Sequence, residues 1–248
     1  RSSVEDALDS ESEPITKLLE ENAYREMLWR RRVNEAALAV MIAYSKDEDL
    51  DNLAANYNVK RQVIEEETED DPAVFENDRE FRDRIQQALE GVSVAGPRTA
   101  YEFHALSANG DVADASATSP SPAEVTITVL SRSDNGAAPQ SLLDIVDAAL
   151  SAEDVRPIAD RLTVQSATIV DYSIDAVLEI EDGPGSDLII EAATQNLNEY
   201  KDLQRKLGRS IRRSALFAAA HVEGVRQVVL NSPASDVDFD LTEAGHCT

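Results

Sequence analysis

Apolar residues recur at helical spacing along Glu13–Arg61, and this pattern predicts one long helix followed at once by a short one. The apolar stripe steps by four and resumes after a charged interval, through Ile15, Leu19, Ala23 and Met27 and then Ala37, Val40, Met41 and Tyr44. The charged residues between them alternate in sign and favour i,i+4 ion pairs. Two interpretations stay open: an exposed helix of a bundle, or a helix of a bundle formed between subunits.

Predicted helix caps and one proline divide the next part of the chain into a short helix, a loop and a further helix. Asp49 is predicted to cap the short helix. The acidic stretch Glu65–Asp78 is predicted to be a loop, because Pro72 breaks any helix there. Asp78 is then predicted to cap a helix over 79–90.

From Asp111 the pattern changes to strands that alternate with helices. Strands are predicted over 111–118, 124–130, 161–167, 172–180 and 226–230, and helices over 98–108, 140–152, 187–207 and 210–224. The fold class is therefore α+β, with long N-terminal helices for a multi-chain bundle followed by two small α/β modules. We expect an N-terminal helical arm over 1–64, the acidic loop and connecting helices over 65–110, and the two modules over 111–167 and 168–248.

Composition adds a large acidic excess to this outline. The chain of 248 residues has a formal net charge of −25, from 48 acidic and 23 basic residues. Such a charge argues against nucleic-acid and membrane-surface binding, because phosphate binding needs clustered Lys and Arg. The basic concentrations Arg30–Arg32 and Lys201–Arg213 lie on predicted helices, where ion pairs or a protein contact explain them better. The acidity also fits a salty medium.

A single cysteine, Cys247, excludes an intrachain disulfide and a multi-cysteine zinc site. No apolar run reaches the roughly 20 residues that a membrane-spanning helix needs, and no signal-peptide pattern occurs. The sequence begins with Arg1 and not with Met, so we expect the true start of the chain to lie upstream.

The candidate catalytic patterns fail on spacing or on context. Ser93 half resembles a nucleophile elbow but follows a predicted helix, and the glycines Gly91 and Gly96 lack the Lys-Ser/Thr of a phosphate loop. His221 and Glu223 have the spacing of a zinc deaminase without its cysteines, and His221 is expected at a helix end. Two further histidines, His104 and His246, are isolated. We predict no catalytic residues, no metal site and no cofactor.

The C-terminal residues Asp236, Asp238 and Asp240 begin like a calcium loop, but Leu241 replaces the turn glycine. An edge strand is the better interpretation, with the three carboxylates on one face and Val237, Phe239 and Leu241 on the other. The apolar face would then need a cover. The residues predicted to form interfaces are Ile15, Leu19, Met27, Val40, Met41, Tyr44, Val237, Phe239 and Leu241.

Long blocks of the sequence resemble the baseplate assembly protein J family of contractile-tailed phages and phage-tail-like bacteriocins. They are ESEPITKLLEENAYREMLWRRRVNEAA (11–37), DLDNLAANYNVKR (49–61), DREFRDRIQQALEG (78–91), SVAGPRTAYEFHALSA (93–108), VRPIADRLTVQSA (155–167) and LGRSIRRSALFAAAHVEGVRQVVL (207–230). The resemblance extends over nearly the whole chain from Glu11 to Thr248. It is far more specific than any of the short motifs.

The resemblance implies a structural protein of the virion, in the tail baseplate, assembled in the host cytoplasm. It implies that the N-terminal helices associate with a second copy of the chain and with a different wedge protein resembling baseplate protein I. The C-terminal modules would join neighbouring wedges into a ring and contact a hub- or sheath-proximal baseplate protein. No catalytic residues carry over from the family.

A second hypothesis is a soluble α/β enzyme or ligand-binding protein with a helical oligomerisation arm. The two hypotheses differ in one feature. An enzyme should bring Ser93, His104 or His221 together with a carboxylate of perturbed pKa in a polar pocket, and a wedge protein should not.

Overall fold

A computed structural model describes residues 13–68, 71–91, 97–153, 155–180 and 186–248. These residues form α-helices and several small sheets, and the predicted α+β class is confirmed. They divide into two compact units. One contains the described residues up to Arg61 and Asn77–Arg82, and the other contains Gln62–Glu76 and the described residues from Asp83 to Thr248. Within the described ranges, no helix is both long and apolar enough to cross a membrane.

The main element of the first unit is helix α1, Pro14–Ala39, which confirms the predicted long helix. Pro14 suits the start of the helix. Amides of the first turn have no carbonyl acceptor within the helix, so the amide hydrogen that proline lacks is not needed there. The helix ends one residue before Val40, its C-cap. The prediction that the helical stripe continues through Met41 and Tyr44 is therefore wrong. Both lie in a turn, where the Tyr44 amide donates to the Met41 carbonyl at 2.9 Å.

Helix α2, Asp47–Ala54, follows and passes into a 3-10 turn over Ala55–Tyr57. Its N-cap residue is Lys46, so the prediction of Asp49 as the cap is wrong. Asp49 instead lies in the first turn, where its carboxylate is next to the positive end of the helix dipole.

Helix α3, Asp78–Gly91, begins with a side-chain cap from Asn77. The amide oxygen of Asn77 accepts hydrogen bonds from the backbone amides of Arg79 and Glu80, both at 3.1 Å. The predicted cap, Asp78, is therefore one residue too late. The first turn of α3 is counted with the first unit and the rest of the helix with the second.

Asp78 has a different role, in an ion-pair network inside the first unit. Arg61 lies 2.8 Å from Asp51 and 2.7 Å from Asp78, and its guanidinium stacks 4.7 Å from the ring centre of Phe81. Burial by itself would raise the pKa of Asp78, but the Asp47 amide and the Arg61 guanidinium hold that pKa below its usual value.

The second unit starts with a short antiparallel pair, β1 (Val63–Glu65) and β2 (Val74–Phe75), inside and next to the predicted acidic loop. Glu76 follows β2 and accepts two hydrogen bonds from the guanidinium of Arg84 on α3, at 3.1 and 2.6 Å. Both side chains are only 5% exposed. Arg84 also donates to Ser107 on helix α4, Arg98–Ala108, at 3.4 Å. This buried pair holds the base of the hairpin against two helices.

The central module is a three-stranded sheet in the order β3-β4-β5. Its strands are Val112–Thr118, Glu124–Ser131 and Arg161–Ser166, and helix α5 is Gln140–Leu150. Strand β4 pairs antiparallel with β3 and parallel with β5, and α5 makes the crossover that a parallel pair requires. The core under α4 and α5 includes Tyr101, Ile127, Leu142, Val146 and Leu150. Every one of these elements was predicted to within two residues.

The C-terminal module contains two pairs of strands and two helices. Its elements are β6 (Thr168–Tyr172), β7 (Asp175–Ile180), α6 (Ser186–Gln204), α7 (Arg213–Ala220), β8 (Val225–Ser232) and β9 (Glu243–Cys247). Strand β6 pairs parallel with β9, and β7 pairs antiparallel with β8. Neither β6 nor β9 was predicted, and both helices are shorter than expected. The sequence also predicts a turn over GPGS (183–186), and residues 183–185 lie outside the described residues.

The two modules share a core within the second unit. Leu130 and Ala167 of the first pack with Leu207 and Ala244 of the second. Asp114 of β3 accepts a hydrogen bond from the Leu207 amide at 2.9 Å, and burial raises the pKa of this carboxyl. The central and C-terminal modules are therefore packed as one body.

Candidate assembly surfaces

Helix α1 carries nine of the exposed large apolar side chains found among the described residues. Of its 26 residues, all described, Thr16 alone is buried. Trp29 is 69% exposed and Val33 is 65% exposed, where large apolar side chains are ordinarily covered. Large exposed apolar surfaces of soluble proteins are typical of binding sites for other proteins.

At about 100° per residue, the apolar side chains of α1 fall on two roughly opposite sides. We call the larger one the tryptophan face: it consists of Ile15, Leu18, Leu19, Trp29, Val33, Ala36 and Ala37. The polar Asn22 and the charged Glu26 interrupt it near the middle. Polar residues at such positions can fix the register of helices in bundles.

The opposite side, which we call the tyrosine face, has a small apolar centre with charged residues around it. It consists of Lys17, Glu20, Glu21, Tyr24, Leu28, Arg31, Arg32, Glu35 and Leu38, all of them exposed. Tyr24 and Leu28 are one turn apart and form the centre. Helix α1 therefore exposes apolar groups on two sides.

The charge of α1 differs from that of the rest of the chain. It carries five basic and four acidic residues, within a protein of net charge −25. Exposed i,i+4 ion pairs join Arg25 to Glu21, Arg30 to Glu26 and Arg31 to Glu35, at 2.8, 2.5 and 2.6 Å. Two copies of this helix can therefore approach each other without the repulsion that two copies of the remaining surface would feel.

The predicted N-terminal interface residues are all exposed, but they do not form one helical stripe. Ile15 and Leu19 lie on the tryptophan face, and Met27 lies between the two faces. Val40, Met41 and Tyr44 are exposed in the turn after α1. This turn is held by Arg82, which donates to the carbonyls of Ile42 and Ser45 at 2.6 and 2.7 Å.

The predicted C-terminal interface needs correction. The residues Asp236–Leu241 are not a strand: they make one isolated bridge, between Val237 and Ile211. Phe239 is only 8% exposed and belongs to the core with Tyr172 and Leu216, so it is not available to a partner. Val237 is half-buried, and Leu241 is exposed.

Two of the three carboxylates of this segment, those of Asp236 and Asp238, are paired with Arg212. Arg212 lies 3.3 Å from Asp236 and 2.7 Å from Asp238, and the backbone amide of Arg213 donates to Asp236 at 2.8 Å. The Arg213 amide, together with the Arg212 guanidinium, lowers the pKa of Asp236. These contacts place Asp236 at the start of α7 and turn Phe239 inward.

The candidate catalytic residues are dispersed. Ser93 and the other residues from 92 to 96 lie outside the described residues. His104 donates to the Gly91 carbonyl at 2.9 Å, and His221 is the C-cap of α7, as predicted. His246 lies 2.9 Å from Asp171 on the paired strand β6.

The carboxyls with raised pKa have structural partners instead. Burial raises the pKa of Glu102, which accepts a hydrogen bond from the Ala117 amide at 3.1 Å, and Asp114 accepts one from Leu207. No group of three metal-ligating side chains occurs among the described residues. Among the described residues, two of the histidines and the carboxyls of raised pKa therefore have separate partners.

The tyrosine face and the exposure of Trp29 and Val33 were not predicted from the sequence. The predicted stripe takes every fourth residue, and such a stripe drifts around the helix because four residues turn it by about 400°. Placing each residue at about 100° from the one before separates the two faces. An exposed apolar pair in the C-terminal module, Val177 and Val229, was not predicted either. These residues are directly opposite each other on β7 and β8, and both are exposed.

Comparison with known families gives three consecutive matches along the chain. The Baseplate J-like N-terminal domain matches residues 11–68, the Baseplate J-like central domain matches 93–166, and the Baseplate J-like protein C-terminal domain matches 172–248.

Among individual proteins, the chain is similar to Baseplate protein J of Escherichia phage P2, with 55% identity over 245 residues, which cover 97% of this chain and 81% of that protein. A chain in the cryo-EM structure of the 6-fold symmetrised anti-feeding prophage (AFP) baseplate matches at 12% identity with a TM-score of 0.44. That match covers 71% of this chain and 43% of the other.

Proposed function

The chain belongs to the baseplate J-like family, and from this premise we propose that it is a component of the baseplate wedge. It is a structural protein of a contractile phage tail and not an enzyme. In the proposal, residues 1–64 form the arm that builds the wedge and 65–110 connect it to the modules. Residues 111–167 and 168–248 are the two modules, and the second carries the ring contacts.

The observation that carries the proposal is the uncovered helix α1. Its tryptophan face exposes Leu19, Trp29 and Val33, and burial of each such side chain contributes roughly 1.5–3 kcal/mol. Two apolar faces require two neighbours. We propose that these are a second copy of the chain and a different wedge chain resembling baseplate protein I.

Two copies in one wedge would have different neighbours, so we propose that the chain adopts two arrangements. The proposed hinges are the segments 65–78 and 91–97, because short connecting segments absorb backbone changes that packed helices do not. The buried Glu76–Arg84 pair restrains the end of the first segment. Superposition of the two copies should show matching modules and a changed position of α1, and copies that superpose throughout would contradict this.

We propose that the C-terminal modules join neighbouring wedges into a ring and contact a hub- or sheath-proximal protein. Support comes from the exposed side chains of Val177, Val229 and Leu241. Deletion of 232–248 is a poor test, because it removes β9 and the core residue Phe239. The better variant is Val177→Asp/Val229→Asp, which should give soluble wedges that do not close into rings. Closed rings from this variant would place the contact elsewhere.

We place the protein in the tail baseplate, after assembly in the host cytoplasm, without nucleic acid or membrane insertion. The acidic excess supports the absence of nucleic-acid and membrane-surface binding, because clusters of basic residues that could bind phosphate are rare in the sequence.

The proposed wedge is tested by co-expression with the partner chain. The variant Leu19→Asp/Val33→Asp should fold but fail to co-purify with the partner, since both side chains are exposed in the chain alone and buried in the proposed bundle. The control Asn34→Asp lies between the two faces and should co-purify normally. Normal complexes from the double variant would overturn the bundle assignment. Circular dichroism checks that both variants are folded.

A further inference from the structure

On the tyrosine face, each charged residue on one side of the level of Glu26 has a residue of opposite charge at a similar distance on the other side. When a second copy of the helix is placed against this face in the reverse direction, opposite charges therefore face each other. Lys17 and Glu35 lie at equal distances from the level of Glu26, about 13 Å on either side along the axis. Both point to the middle of the face. In an antiparallel pair of helices centred at this level, Lys17 of each copy meets Glu35 of the other.

The flanking charges obey the same symmetry. Glu20 and Arg31 lie on one edge of the face, about 9 Å before and 7.5 Å after the centre. Glu21 and Arg32 lie on the other edge, about 7.5 Å before and 9 Å after it. A two-fold axis across the interface keeps each edge on its own side, so Glu20 meets Arg31 and Glu21 meets Arg32 of the second copy.

The apolar centre fits the same arrangement. Tyr24 and Leu28 lie about 3 Å before and after the centre, so each Tyr24 ring would pack on Leu28 of the other copy. Both are exposed in the single chain, at 55% and 45%. In a parallel pair, Glu20 and Glu21 would instead face the same two residues of the second copy. Arg31–Arg32 would likewise face Arg31–Arg32 of that copy. Like charges placed opposite each other destabilise a helix pair.

We infer that the tyrosine face binds the same face of a second copy of this chain, antiparallel, with the two-fold axis at the level of Glu26. The inference rests on the proposed wedge function and adds the face, the orientation and the register. It leaves the tryptophan face, which has few charges and a larger apolar area, to the different wedge chain.

Within α1, whose residues are all described, Glu20 and Arg32 take part in no i,i+4 ion pair. The antiparallel contact supplies partners for both. Glu21, Arg31 and Glu35 already pair within their own helix and would join the same network across the interface. Networks of several charges stabilise more than isolated surface pairs do.

A cross-linking experiment tests the orientation. Two differently tagged full-length chains, Lys17→Cys and Glu35→Cys, are prepared with Cys247→Ser and mixed, and a short bismaleimide is added to the chains alone and to assembled baseplates. The antiparallel pair predicts cross-links between the two tags. Links between identical tags would show a parallel pair and overturn the inference, as would the absence of any link in assembled baseplates. The Cys247→Ser parent is the background control.

Charge exchange gives a second test that does not depend on new cysteines. The variants Glu20→Arg/Glu21→Arg and Arg31→Glu/Arg32→Glu should each self-associate at least about tenfold more weakly than the natural chain, because four opposite-charge contacts become like-charge contacts. A mixture of the two variants should regain the affinity, since every contact between them is again of opposite sign. Unchanged self-association of either variant would overturn the inference.

These outcomes separate the inference from the proposed function. If the tyrosine-face variants behave like the natural chain and Leu19→Asp/Val33→Asp still blocks co-purification, the wedge stands and the antiparallel contact is wrong. If both sets assemble normally, both proposals fail.

Discussion

Replacing Arg84 by methionine should destabilise the second unit by about 3–5 kcal/mol, because it leaves the Glu76 carboxylate buried without its guanidinium. Both side chains are only 5% exposed, and the two hydrogen bonds between them measure 3.1 and 2.6 Å. The Gln62 amide, at 3.3 Å from Glu76, is a weak substitute. Arg84→Met also removes the donor to Ser107, so α4 should loosen together with the hairpin.

The assay is hydrogen exchange measured by mass spectrometry over residues 98–118. A loss of 3 kcal/mol corresponds to exchange faster by about 100-fold where exchange follows unfolding. The single tryptophan, Trp29, belongs to the first unit, and its fluorescence should not change.

The matched control removes both charges. Glu76→Leu/Arg84→Met removes both charges of this pair and should recover most of the loss, because apolar replacement of a buried ion pair is often neutral or stabilising. An Arg84→Met protein within about 0.5 kcal/mol of the natural chain, the size of an ordinary surface effect, would refute this reasoning.

Three further outcomes are expected. The low pKa of Asp78 contributes stability above its unfolded value of about 4, and this is lost as the pH falls through the folded value. Asp78→Asn should remove that part of an acid titration followed by circular dichroism. The raised pKa of Asp114 works the other way, and stability falls as the pH rises from about 4 through the folded value. Asp114→Asn keeps an acceptor for the Leu207 amide and should flatten this dependence in thermal melts at pH 4 and 7. Leu150→Ala, at a fully buried site, should cost about 2–5 kcal/mol in urea denaturation.

The central module could be predicted because its sequence signals are local. Strands β3 and β4 alternate at period two, and Pro139 precedes an amphipathic helix that became α5. The pairing of β6 with β9 could not be predicted in the same way. Strand β9 contains Gly245, a poor strand former, and its position depends on Phe239, which fills the space that a side chain at Gly245 would need.

The prediction of a strand in the acidic C-terminal segment is wrong for a related reason. Alternation in Asp236–Leu241 has the period of a strand, but Asp236 bonds to the Arg213 amide and Phe239 enters the core. Both are long-range contacts that no local pattern reveals. For α1 the sequence predicts the helix, and only the structure shows that its large apolar side chains are exposed in the described chain.

The most direct test of the account is a cryo-EM structure of the assembled baseplate that resolves α1. The account predicts that both faces of α1 are covered by other chains, with Trp29 and Val33 buried against a different protein and Tyr24 against a second copy. A baseplate in which α1 remains exposed, or in which other residues of its own chain cover both faces, would contradict the account.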